Sequence, residues 1–174
     1  MMTKLYITIG CSGAGKSTWI KKNATPGWSI TISPDEERRK LSNVNDRSVY
    51  GRAFEKCYDQ LFHLSPRDGA EVYFDAISLK TGYISSIVGA VNPQLKKNLK
   101  VTLVLFEDSR NPDLCISRIH EDIKNKVDRT NTPDDVVRTM SKHYIELVDS
   151  KNFDDFCKEH EFEKVIVKSF EEHI

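Results

Sequence analysis

The sequence predicts an α/β fold in which a parallel sheet of five strands carries helices on both faces. Two observations lead there. Short apolar runs alternate along the chain with longer helical stretches, the pattern left when each parallel strand returns through a crossover helix. The first run, Leu5–Ile9, leads straight into Gly10-Cys11-Ser12-Gly13-Ala14-Gly15-Lys16-Ser17-Thr18, a complete Walker A phosphate-binding loop, and then into a helix. With 174 residues the chain has room for a full core, so one domain over residues 1–174 is expected. Neither a linker rich in Ser, Gly or Pro nor an internal repeat divides it.

Taken in order, the strand Leu5–Ile9 is followed by a helix over Lys16–Lys22, and a second strand is expected at Trp28–Ile32. The helix over Pro34–Leu41 carries its own start signal. Ser33 suits the N-cap, Pro34 the first helical position and Glu36 the third position of a capping box, with acidic residues opposing the helix dipole. Further helices are expected at Ser48–Leu64, Thr81–Ala90, Pro112–Lys124 and Asp134–Asp149, with a shorter one near Phe153–His160. Strands fall between them at Val72–Phe74, Val101–Phe106 and Val165–Val167. The stretch Lys124–Pro133 has no apolar periodicity and joins two helices. Beside a phosphate loop, that is where a mobile lid belongs, spanning about residues 118–133.

Composition excludes several classes. No apolar run reaches the roughly 18 residues of a membrane span, and the phosphate loop begins before a signal-peptide cleavage region fits. Cys11, Cys57, Cys115 and Cys157 lie far apart without C-x-x-C or zinc spacing, so reduced thiols and a cytoplasmic location are expected. Net charge is zero, which argues against a protein that coats nucleic acid. Residues 1–100 nevertheless hold 15 Lys and Arg against 9 Asp and Glu, so the half with the phosphate loop is basic; solvated surface charge explains that count equally well.

The chemistry is read from the loop first. Its glycines let successive N–H groups converge on one anion, and the helix that follows points its positive end at the same charge. Gly10, Ser12, Gly13, Ala14, Gly15, Lys16, Ser17 and Thr18 are therefore the expected binding residues for ATP or another nucleoside triphosphate. Lys16 reaches the β- and γ-phosphates and Ser17 offers its hydroxyl to Mg²⁺. Asp35 and Arg38, three residues apart, share a helix face at the carboxyl edge of the sheet. A carboxylate there is placed to take the proton of an attacking hydroxyl, and an arginine to hold an anionic group of the acceptor.

At this point the chain resembles the kinase domain of phage polynucleotide 5′-hydroxyl kinase, within the P-loop kinase superfamily. The opening Ile9–Trp19, the Asp35-x-x-Arg38 helix start, Gly51-Arg52-Ala53-Phe54, the strand ending in Asp75, Leu114–Arg118 and Pro133–Met140 all occur in the family's order, over about residues 3–149. That resemblance implies a three-layer fold with strand order 2-3-1-4-5 and a helical lid. It implies ATP and Mg²⁺ at Lys16 and Ser17, Asp35 as general base for a 5′-hydroxyl, and Arg38 on the phosphate beside the acceptor nucleoside. Asp75 would position the metal through water, while Arg118 and Arg129 would close over the transferring phosphoryl group. DNA or RNA 5′ ends become the expected partners, nucleic acid repair the expected setting, and no membrane is involved.

Departures and rivals accompany the resemblance. The family has Asp-Thr-Asn where this chain has Asp75-Ala76-Ile77, and the lid arginines lie closer together there than Arg118 and Arg129 do here. Lys124 and Lys126 compete with Arg129, and Asp108, after the Walker B-like run Val101–Phe106, competes with Asp75. No Asp-x-Asp-Gly-Thr phosphatase motif follows, so a stand-alone kinase is expected. His63, His120, His143, His160 and His173 lack metal spacing, and Trp19 and Trp28 read as packing residues. Two other readings stay open: a kinase of another hydroxyl (nucleoside, small molecule or hydroxymethylated base), and an ATPase switch, which has no use for an acceptor-binding Arg38. Oligomeric state is not encoded in these patterns.

Overall fold

Central strands of a parallel sheet are covered on both faces, so their sequences run apolar almost without alternation. β1 (Thr3–Ile9) and β4 (Leu99–Phe106) have that character. They pair in parallel from Thr3↔Leu99 to Ile9↔Leu105. The chain is described from a computed structural model over residues 2–65 and 71–169. His173 lies outside these residues.

β2 (Ser29–Ile32), β3 (Glu71–Phe74) and β5 (Glu163–Val167) complete a five-stranded parallel sheet in the order β2-β3-β1-β4-β5. That is the expected order. Helices α1 (Lys16–Asn23), α2 (Pro34–Leu41), α3 (Tyr50–Phe62), α4 (Thr81–Ala90), α5 (Pro112–Lys124), α6 (Asp134–Val148) and α7 (Lys151–Glu159) connect the strands. Two apolar clusters divide along the sheet's faces. Leu5, Ile7, Leu103 and Leu105 pack with Leu61 of α3, Ile84 of α4 and Phe153 of α7. Tyr6, Val104 and Phe106 pack on the other side with Trp19 of α1, Ile116 and Ile119 of α5 and Val137 of α6. Alternate residues of one strand thus serve opposite layers.

Local chemistry sets several element ends. Ser33 Oγ accepts from the Glu36 N–H at 3.3 Å, as a cap does. The Glu36 carboxylate pairs with Arg39 within the same helix, so its side chain serves the helix surface. Asn111 and Ser150 cap α5 and α7 through the Leu114 and Phe153 N–H groups. The helix expected over Ser48–Leu64 is split: Asp46 caps a 3-10 turn at Arg47–Val49, and the α-helix starts at Tyr50. β5 begins two residues before the expected Val165, because register with β4 extends pairing to Thr102↔Glu163 despite the polar side chains. Trp28 departs from its expected packing role and is 60% exposed, while Trp19 packs edge-on against Tyr73 and Phe106.

The four cysteines are free and buried. Among the described residues, no helix is long and apolar enough to cross a membrane. Leu103, with no exposed surface, sits on a strand flanked by neighbours on both sides. Leu103→Ala is expected to cost about 2–5 kcal/mol, read as a lower midpoint in urea unfolding with an unchanged slope.

Candidate active site

Parallel strands bring all their carboxyl ends to one edge, and the residues singled out from the sequence gather there. The loop between β1 and α1 carries Gly13 at φ 82° and Gly15 at φ 94°, both left-handed. A Cβ on Gly13 would stand 2.5 Å from the Cys115 carbonyl oxygen, so only glycine fits beneath α5.

Buried hydroxyls fix the loop to its neighbours. Ser109, fully buried just after β4, accepts from the Cys11 N–H at 2.9 Å. Thr8 of β1, also fully buried, donates to the Ala76 carbonyl at 2.7 Å and accepts from the Ala76 N–H at 3.0 Å. The Gly10 N–H donates to the Ile77 carbonyl at 3.1 Å. The segment after β3 is thereby tied to the phosphate loop, and Asp75 arrives beside α1. Ser17 Oγ donates to Asp75 Oδ2 at 2.6 Å.

Lys16 folds back over the loop, with Nζ 2.5 Å from the Cys11 carbonyl oxygen. Burial lowers its pKa from the ordinary lysine value, and the carboxylates of Asp75 and Asp35 oppose that shift. Burial raises the Asp75 pKa, Lys16 and Ser17 pull it down, and Asp35 and Glu36 push it further up. Asp35 is therefore close enough to act electrically on both. Hydroxyl and carboxylate oxygens at Ser17 and Asp75 suit a hard cation such as Mg²⁺, which takes one or two protein oxygens and completes its sphere with phosphate and water. Consistent with that division, no group of three His, Cys, Asp or Glu side chains among the described residues could hold a metal alone.

On α2, Arg38 pairs with Asp35 and is only 2% exposed, while Asp35 remains half-exposed. Arg38 Nε donates to the Val44 carbonyl at 2.9 Å and Nη2 to Thr130 Oγ1 at 3.0 Å. Its guanidinium carbon lies 4.2 Å from the centre of the Tyr50 ring. Thr130 belongs to the segment between α5 and α6, which lies across the site. Arg129 of this segment bonds Asp122 at 2.8 Å and Ser12 Oγ of the phosphate loop at 3.0 Å. Thr132 also donates to Ser12 Oγ. Arg39 of α2 holds Asp128 at 2.8 Å, and the Asn131 N–H donates to Asn45. Lys124 and Lys126 are exposed.

Arg118 of α5 pairs with Asp108 at 2.7 Å, and its Nη1 donates to the Gly13 carbonyl at 3.2 Å. The two rivals for the metal position therefore differ in partner: Asp75 holds Ser17, and Asp108 holds Arg118. Thr18 is exposed on α1. Sequence reasoning passed over Thr8, Ser109, Tyr50, Thr130 and the Arg39–Asp128 pair. None belongs to a spaced motif; each is defined by a partner at least twelve residues away on another segment.

Residues 5–147, most of the chain, match a family described as AAA domain. No curated protein matches the chain. A chain of the Pnkp1/Rnl/Hen1 RNA repair complex superposes with a TM-score of 0.63 at 11% identity, over 83% of this chain and 45% of that one. This chain thus spans less than half of that relative's length. A gluconokinase from Sinorhizobium meliloti 1021 superposes with a TM-score of 0.51 at 16% identity, over 97% of this chain and 85% of that one. These likenesses give a P-loop kinase-like fold.

The raised pKa of Asp75 has a consequence for stability. Without nucleotide, the folded protein holds this proton more tightly than the unfolded chain does. The contribution is therefore full below the unfolded value of 3.8 and is lost as pH rises through the folded value. Asp75→Asn is accordingly expected to raise the melting temperature at pH 8 in the absence of nucleotide and Mg²⁺, with the gain closing near pH 4. A loss at pH 8, or a gain independent of pH, contradicts it.

Proposed function

The chain belongs to the AAA domain family, and from that premise we propose that it is an ATP-dependent phosphotransferase acting on a 5′-hydroxyl end of DNA or RNA. One observation carries the reading. Asp35 and Arg38 stand together at the carboxyl edge of the sheet, and Asp35 acts electrically on Lys16 and Asp75 of the phosphate side. An acceptor-side carboxylate facing a phosphate loop suits phosphoryl transfer to a hydroxyl, and the Arg38 beside it suits an anionic acceptor, for which an ATPase switch has no use.

In this reading the loop from Gly10 to Thr18 cradles the triphosphate. Lys16 leaves the Cys11 carbonyl and neutralises charge on the β- and γ-phosphates as it grows. Ser17 and Asp75 would hold Mg²⁺, which would supply further charge neutralisation to the phosphate oxygens. The pairing of Asp75 with Ser17, and of Asp108 with Arg118, supports Asp75 in that role. Asp35 accepts the proton of the 5′-hydroxyl as its oxygen bonds to the γ-phosphorus and the bond to the β-phosphate oxygen breaks. Arg38 takes the phosphate next to the acceptor sugar as a charge-assisted partner. Arg118 and Arg129 approach the transferring group from the α5 side and the lid. Arg129 exchanges the Ser12 hydroxyl for a phosphate oxygen.

The experiment is a panel of hydroxyl acceptors with labelled ATP. A nucleoside 3′-monophosphate is expected to be a better acceptor than the bare nucleoside by roughly 10–150-fold, the worth of a charge-assisted bond. Arg38→Ala erases most of that preference and leaves the KM for ATP nearly unchanged. Equal rates for the two acceptors in the unaltered protein favour a small-molecule or base-directed kinase instead.

Two further substitutions test the chemistry. Lys16→Ala is expected to abolish transfer without altering the circular dichroism spectrum. Asp35→Asn, which keeps the size but takes no proton, lowers turnover by roughly 10²–10⁴-fold. Survival of activity in Asp35→Asn with a lower melting temperature marks Asp35 as a helix-start residue only.

A further inference from the structure

Arg38 is among the largest side chains withdrawn from solvent, yet one of the groups covering it is itself exposed. Tyr50 lies 4.2 Å from the Arg38 guanidinium carbon and is 42% exposed. It is the first residue of α3, and it joins neither apolar cluster of the core. One turn further on, the Phe54 ring lies 6.0 Å from the Tyr50 ring, at an angle of 23°. The Phe54 ring in turn approaches Tyr58, which packs on the core. Tyr50 is thus the outer end of an aromatic column rooted in the protein, and it opens beside Asp35 and Arg38.

The packing of the fold does not require an exposed ring in this position. Arg38 already has fixed partners in Asp35, the Val44 carbonyl and Thr130. The ring does place a flat apolar surface next to a planar cation, a pairing suited to a ligand that is anionic at one point and aromatic at the next. A nucleotide has that form.

We propose that Tyr50 is a specificity-determining residue of the acceptor site, packing against the sugar and base of the nucleoside whose phosphate Arg38 holds. The proposal rests on the phosphotransferase reading above and deepens it, naming a nucleoside with its base as what the acceptor side recognises. The column through Phe54 and Tyr58 holds the ring without an ordering cost at each binding event. A polyhydroxy acid offers Arg38 its anion but offers the ring no plane.

The test compares thymidine 3′-monophosphate with 1,2-dideoxyribose 3-phosphate, which has the same 5-hydroxyl, furanose ring and phosphate but no base. Tyr50→Ala and Tyr50→Leu are expected to raise the acceptor KM for thymidine 3′-monophosphate by roughly 5–150-fold, the range of one aromatic contact to a base. The change in kcat is much smaller, and the KM for ATP serves as the control for an intact fold. Tyr50→Phe, which keeps the ring, retains most of the original KM. With 1,2-dideoxyribose 3-phosphate the same variants change KM far less. Equal increases for both acceptors would show that Tyr50 merely braces Arg38, and an unmoved KM would show that it touches nothing; either overturns the proposal. Should Tyr50→Ala fail to fold, Tyr50→Leu and Tyr50→Phe carry the comparison. An unaltered protein that phosphorylates neither acceptor defeats the parent reading, whereas transfer with a base-independent effect defeats this one alone.

Discussion

The site depends on how the loop between β1 and α1 is pinned, by hydrogen bonds to the segments after β4 and β3 on either side. Inside the loop the Ala14 N–H donates to the Cys11 carbonyl at 3.2 Å. Further bonds hold the loop from outside. Ser109 takes the Cys11 N–H on the β4 side, and the Ile77 carbonyl takes the Gly10 N–H on the β3 side. Thr8 locks the Ala76 segment to β1 with a donated and an accepted bond. All this happens without exposed surface at Thr8 or Ser109, where an unmet hydroxyl would be costly.

Position follows from that anchorage. Once Ala76 and Ile77 are fixed against β1, Asp75 is delivered to Ser17, and the carboxylate meets the phosphate loop in a partly dehydrated setting. The opposing shifts of Lys16 and Asp75 come from the same burial, which penalises each charge, and the two charges partly relieve one another.

The lid is joined to both halves of the site. Its Arg129 and Thr132 meet Ser12 of the phosphate loop, while its Thr130 and Asp128 meet Arg38 and Arg39 of α2. These contacts are polar: Thr132 to Ser12 is buried, the Arg129 and Thr130 bonds are partly buried, and Arg39 to Asp128 is exposed. A single segment therefore bridges the phosphate loop and α2, and Arg38 and Arg129 each also pair with a nearby carboxylate, Asp35 and Asp122.

The sequence by itself determined the parallel α/β class, the phosphate loop and most helix starts, because those depend on local rules: apolar runs, glycines at fixed offsets, and caps such as Ser33 and Asn111. Strand order was legible only through resemblance, since periodicity says nothing about which strands are neighbours. Asp35 and Arg38 were visible as a pair three residues apart, and their pairing is local. Tertiary structure alone decided the rest. The partners of Asp75 and Asp108 could not be read from two acidic residues at two strand ends; the hydrogen bonds to Ser17 and Arg118 separate them. The burial of Ser109 and Thr8, the split before Tyr50 and the ring above Arg38 each arise where segments distant in the chain meet. Helix and loop chemistry acts over a few residues and is written in sequence; packing acts through space, and only the folded chain sets it.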